Sequence, residues 1–306
     1  MKKILCYSIL LVFSAVVMRI LSGCSIVQEI YIGDVEVNAP LTPPPAHITA
    51  EKETSSVKMS FYYSNLPNRR RISTTTNGRL THSVKLTETT SYTPKKNNLD
   101  WTIPVGIIGA NLDIRLGKSV SIFGGFRFPC GSRNSNAGGN AGLGFHSYGS
   151  NPATRLDVGF NFQKYDFAAT TIVRTQTSFF NSVNESVVMF EDRGSSTNIN
   201  PFLTLTINSA DAQSIINYFF SIGYFTQNLL GFTPGETNYS SPMGTTIIAD
   251  ERADCVCGFL YMNPGLTFTY DRQLNILISA KLLKEMTPSD FDVWLIMPSI
   301  QLDFAL

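Results

Sequence analysis

The chain has 306 residues and a formal net charge of +1, from 24 basic and 23 acidic groups, with 15% of residues charged and 43% hydrophobic. That length is ample for a sizeable core. The near-neutral balance excludes the basic field of a nucleic-acid binder, and the apolar content excludes a disordered chain. Low charge beside 22 Gly, 21 Phe and 12 Tyr fits a β protein, or one whose solvent is partly lipid.

Lys2 and Lys3 open the chain as a short positive region, and Ile4 to Val17 is a nearly unbroken apolar run. At about 14 residues the run has the length of a signal-peptide core and is short of the ~20 a spanning helix needs. Leu21-Ser22-Gly23-Cys24 comes next. Small residues before the cleavage point, between Gly23 and Cys24, let a peptidase hold the backbone, and the Cys24 thiol can carry a lipid. This stretch resembles the lipobox of bacterial lipoproteins, although Arg19 is an unusual charge so close to it. The resemblance implies loss of residues 1–23 and acylation of Cys24 with palmitate-type chains, with no cofactor beyond that covalent lipid. Ser25 stands where Asp would imply inner-membrane retention, so the outer membrane is the implied destination.

Loss of residues 1–23 discards Lys2, Lys3 and Arg19 and leaves 21 basic against 23 acidic groups. Attachment then rests on acyl chains and embedded apolar surface, not on attraction to anionic lipid. Residues 24–56 read as an acylated tether. Its Asn38-Ala39-Pro40-Leu41-Thr42-Pro43-Pro44-Pro45 stretch favours extended polyproline geometry, a semi-rigid spacer.

Residues 57–306 alternate with period two. Leu156, Val158, Phe160 and Phe162 share one face, opposite Arg155, Asp157, Asn161 and Gln163. The pattern recurs with Ile108, Leu112 and Ile114 opposite Asn111, Asp113 and Arg115, and with Ile122, Phe126 and Phe128 opposite Ser121 and Arg127. It recurs again in Leu203, Leu205 and Ile207, in Leu266, Phe268 and Tyr270, in Leu274, Ile276 and Ile278, and in the closing Ile296, Ile300, Leu302, Phe304 and Leu306. Many runs reach the ~9 to 11 residues of a membrane strand, against ~5 or 6 in soluble proteins.

Connections alternate between tight and long. Gly117-Lys118, Lys164-Tyr165, the neighbourhood of Asp211 and Asp271-Arg272 read as tight turns, and 129–153, 179–197, 230–255 and 284–290 as long outer loops. Nine strands from residue 102 onward, preceded by one over Val57 to Tyr63, make ten, with eight or twelve as alternatives. An even count puts both termini in the periplasm. Tyr165, Phe167, Tyr270, Phe291 and Trp294 stand where an interfacial aromatic belt would lie. The fold expected is an all-β, antiparallel, up-and-down transmembrane barrel. Taken with the lipobox, the chain resembles the small outer-membrane β-barrel lipoproteins. That resemblance implies a lipid-anchored place in the outer membrane of a double-membraned bacterium, with extracellular long loops, and no reaction. It implies outer-membrane lipid and the barrel and lipoprotein export machineries as partners, beside an unidentified envelope protein.

Residues that could carry chemistry are few. His47, His82 and His146 lack metal-ligand spacing, and His82 and His146 fall where a rim-located hydrolase would need a base, without a nucleophile motif. Cys130, Cys255 and Cys257 are expected at the outer end, where export permits one disulfide, Cys130 with Cys255 or Cys257. The inward charges Asp113, Arg115, Arg127, Arg155, Asp157, Arg174, Asp271, Lys281 and Asp303 are expected to pair with one another and plug a narrow lumen. The function expected is a non-enzymatic scaffold displaying loops for binding or envelope organisation. A small pore is the alternative, and a lipid-anchored periplasmic β-sandwich the second.

Overall fold

A computed structural model describes residues 24–49, 56–65, 71–76, 97–130, 136–147, 149–179, 182–209, 211, 213–232, 253–271, 274–286 and 294–306. Among these residues there are thirteen strands. They are β1 (Cys24–Asn38), β2 (Val57–Asn65), β3 (Arg71–Thr76), β4 (Asn97–Thr102), β5 (Gly106–Arg115), β6 (Val120–Cys130) and β7 (Gly138–His146), then β8 (Ala153–Phe179), β9 (Ser182–Asn208), β10 (Ile216–Phe232), β11 (Ala253–Asp271), β12 (Leu274–Glu285) and β13 (Leu295–Ala305). Ten close into a ring in the order β8-β7-β6-β5-β2-β13-β12-β11-β10-β9, with β9 returning to β8. Every neighbour in the ring is antiparallel. The ten-stranded expectation holds, and a closed ring leaves no place for the two-sheet sandwich. The proposed signal segment, residues 1–23, and His82 lie outside the described residues.

Alternation along each strand gives the wall two faces. Phe126, Phe160, Ile108, Ile296 and Ile300 stand exposed on the outside, while Asn111, Arg127, Arg155, Asp157, Asn161 and Gln301 are buried in the lumen. The seam between first and last wall strands runs Lys58↔Ala305 to Ser64↔Ser299. It is fastened outside by Phe61 against Phe304, ring centroids 6.1 Å apart, and inside by the Ser64 and Ser299 hydroxyls at 2.8 Å.

The count of ten conceals two differences that cancel. The Lys164-Tyr165 turn does not exist: β8 runs straight through it, and Tyr165 is buried inside rather than placed in an interfacial belt. Residues 129–153, read as one outer loop, contain β7 and the turn that follows it. Glycines hide that strand from sequence patterning, because four of its nine positions carry no side chain to alternate. Inside the barrel the same glycines are needed. A Cβ at Gly142 would come within 2.5 Å of the Phe123 ring, and one at Gly144 within 2.6 Å of the Arg155 guanidinium.

Beyond the ring, β8 and β9 continue as a hairpin paired from Lys164↔Thr197 to Phe179↔Ser182. β1 lies antiparallel along this extension, from Cys24↔Phe179 to Asn38↔Asp166, and β4 then β3 add to its far side. Pro201 marks the branch point. β10 pairs β9 only over Phe202–Asn208, and a residue without N–H cannot carry that ladder further.

The segment read as a tether is therefore strand and plug. After β1, residues 39–49 are buried throughout and pass down the lumen to the tight-turn end, where the chain leads into β2. Residue 24 sits at the tip of the long-loop extension, while Leu306 donates its N–H to Val57 O (2.9 Å) at the tight-turn end. Ten wall strands plus one lumenal pass put residue 24 and Leu306 at opposite ends of the barrel, where the sequence reading expected the start of the tether and the end of the chain on one side.

Candidate functional site

The lumenal segment explains why prolines are useful here. A polyproline strand makes no hydrogen bonds to itself, and Pro40, Pro43, Pro44 and Pro45 carry no N–H that would need a partner. Burying it leaves carbonyls to satisfy, each costing ~1–3 kcal/mol if orphaned. The wall supplies donors at alternate residues. Gln227 Nε2 donates to Pro40 O (2.9 Å), Asn161 Nδ2 to Thr42 O (3.0 Å) and Lys281 Nζ to Pro44 O (3.3 Å). Gln301 Nε2 donates to Ala46 O (2.8 Å) and Lys58 Nζ to Ile48 O (2.7 Å). At the exit, Asn208 Nδ2 donates to Thr49 O (2.7 Å) and its Oδ1 accepts the Thr49 N–H (3.1 Å). Six of the ten wall strands contribute, so the ring grips the chain from several sides.

The long-loop mouth is sealed differently. Trp101, delivered by β4, donates its indole N–H to Ala39 O at 2.8 Å. It packs edge-on to Phe259 (6.1 Å), which stacks on Phe225 at 5.2 Å. Val35, Val37 and Leu41 from the incoming chain bury among these rings with Leu229, Leu283, Leu295 and Met297. The upper lumen is thus a hydrophobic core, and the lower lumen holds the buried charges beside a small apolar cluster of Ala46, Ile48, Phe219 and Leu277.

In the polar half, His47 Nδ1 lies 2.9 Å from Asp157 Oδ2. Asp157 Oδ1 accepts from Arg155 Nε at 2.7 Å, and Arg155 Nη1 pairs with Asp113. Arg155 reaches from β8 to β5 across two intervening strands, over the bare Gly144 and the small Ser121, which leave it room. The Phe123 ring supports His47 (4.7 Å) and lies under the guanidinium (5.8 Å). Asp113, Arg155, Asp157 and His47 thus form one continuous buried network of ion pairs and hydrogen bonds.

Other predicted residues take different places. Arg127 is buried beside Tyr62 and donates to Gly139 O (2.9 Å). Asp303 accepts from Gln301 Nε2 at 2.7 Å, and Arg115 is half-buried at the turn end. Asp271 closes β11 at a tight turn, and Arg174 lies on the β8 extension rather than in the lumen. His146 ends β7 at the tight-turn end, its N–H on Ser119 O, and not at the outer rim. Cys130 and Cys257 are both thiols, so the expected bridge between them is absent. The reason is geometric: β6 and β11 are five steps apart in a ring of ten, on opposite walls. The Cys255 side chain lies outside the described residues. Among the described residues, no three His, Cys, Asp or Glu side chains are grouped as metal ligands.

Sequence reasoning missed the plug itself. The inward phase did contain a signal, Asn161, Asn208, Gln227 and Gln301, which are amide donors suited to an extended backbone.

No family model matches the chain, and no curated protein does. Among solved structures, the chain is similar to LpxR from Salmonella typhimurium, with a TM-score of 0.34 and 8% identity, over 81% of this chain and 100% of that one. The expectation of a non-enzymatic scaffold is not kept. A likeness this slight assigns no activity to this chain.

Proposed function

We propose that the protein is an outer-membrane β-barrel lipoprotein that closes its own lumen and holds a β-sheet platform on the long-loop side. The observation that carries this reading is the inverted wall: exposed Phe, Ile and Leu rows outside, buried amides and ion pairs inside. A soluble barrel would reverse the outer face, because a continuous exposed apolar belt of this size is stable only against lipid or a partner. Outer-membrane lipid is the proposed partner of that belt. The Leu21-Ser22-Gly23-Cys24 motif supports acylation of Cys24 after removal of residues 1–23. The plug argues against the pore reading, since the polyproline segment occupies the path a solute would take.

The test is electrophoretic mobility of the full-length protein from washed outer membranes, with and without boiling in detergent. A faster unboiled form is expected, because a closed antiparallel ring resists detergent. A single mobility, with release into solution once the N-terminal segment is cut, would replace the membrane barrel by a soluble domain.

A further inference from the structure

We infer that residues 38–49 are an eleventh crossing of the membrane, made through the lumen instead of the wall, and that it carries Cys24 to the outer side. This rests on the reading of the chain as an outer-membrane lipoprotein, in which tight turns face the periplasm.

The direction of the crossing follows from two sets of contacts. At the lower end, Thr49 is held by Asn208, at the end of β9, and Lys58 near the start of β2 holds Ile48. Both anchors stand at the tight-turn end, beside the turn after Asn208. At the upper end, Asn38 pairs Asp166, beyond the point where β7 stops pairing β8 at Gln163. The segment therefore spans from one rim to the other, ~34 Å at polyproline rise, enough to cross the ~30 Å hydrocarbon core of a bilayer. Above the rim, β1 stays registered with β8 up to Cys24↔Phe179. From Gln163 to Phe179 the strand covers about 50 Å.

A slack tether could fall to either side, but this one cannot. Alternate carbonyls from Pro40 to Ile48 are held by β10, β8, β12, β13 and β2, and Val35, Val37, Ala39 and Leu41 are built into the mouth core. Moving residue 24 to the turn end would require emptying the lumen. The consequence concerns the lipid. Acyl chains on Cys24 lie on the outer side, at the tip of the extension, and do not moor the protein in the periplasmic leaflet. The apolar belt alone seats the barrel, leaving the acylated tip for a lipid surface outside.

The experiment uses the full-length chain in intact cells, with an epitope tag inserted after Ser25, a second after Phe179 at the hairpin tip, and a third at Asp211 in a tight turn. Each is probed with antibody before and after outer-membrane permeabilisation, and each variant is checked for heat-dependent mobility. Tags at 25 and 179 are expected to be reached on intact cells, and the tag at 211 only after permeabilisation. Labelled palmitate should remain on the fragment that surface protease releases, and should disappear with Cys24→Ser. A tag at 25 reached only after permeabilisation, in a protein that keeps its heat shift, overturns the crossing while the barrel stands. Disagreement between tags 25 and 179, or a surface-exposed tag at 211, overturns it as well. Loss of the heat shift in the untagged protein overturns the barrel and the crossing together.

Discussion

Arg155 is the side chain on which the polar half of the lumen turns. It is almost wholly buried, yet it neutralises Asp113 and Asp157 at once, and Asp157 in turn holds His47 of the plug. Two carboxylates left without their cation in such a place cost far more than a surface pair would. Arg155→Met is therefore expected to destabilise the barrel by about 3–5 kcal/mol, read as a lower temperature for conversion of the unboiled to the boiled form. Adding Asp113→Asn and Asp157→Asn should recover most of that loss, since the triple variant leaves no carboxylate at that site without its cation. Failure of the triple variant to recover would mean that Arg155 acts by filling space. The inward phase of Arg155 and Asp157 was legible from a period of two, whereas Arg174 shares that period on a part of β8 that lies beyond the ring. The partners of Arg155 and Asp157 were not legible, because Arg155 meets Asp113 across β7 and β6, and that contact depends on Gly144 being bare.

At the level of elements, the lumenal segment and the wall are each incomplete without the other. The segment brings carbonyls and no proline donors, and the wall brings Gln227, Asn161, Gln301 and Asn208. Deleting residues 25–49 removes the plug and the Val35, Val37 and Leu41 part of the mouth core. The wild-type protein should be silent in a planar bilayer, and the deletion variant should show discrete conductance steps while keeping its heat shift. A folded variant that stays silent would show that wall side chains close the lumen unaided. The sequence signalled an extended segment over Asn38 to Pro45 through its prolines, but nothing local says whether such a segment lies in water or in a tube. The misread β7 and β8 have the same origin. Glycine alternates with nothing, and Lys164-Tyr165 resembles a turn until Thr197 and Ser196 of β9 are seen to pair with it.

The described residues separate into a closed ring and an extension that does not belong to it. Wall pairing uses β8 up to Gln163 and β9 from Phe202 onward. Between those limits and the tip, β8 and β9 pair with each other and with β1 only. Insertion in a membrane depends on satisfied backbone groups inside the hydrocarbon layer, and the ring satisfies its own without help from the extension. Excising residues 168–193 and joining Phe167 to Gly194, which face each other in register, should leave a heat-shifting barrel in the outer membrane. It should also remove the partner strand of β1, so that Cys24 is no longer held far from the rim. Where Cys24 is acylated on the outer side, as proposed, limited surface proteolysis of the shortened protein should release no acylated fragment of the size expected from the intact one. If the shortened protein fails to insert, the hairpin takes part in building the ring, and the platform and the barrel are a single folding unit.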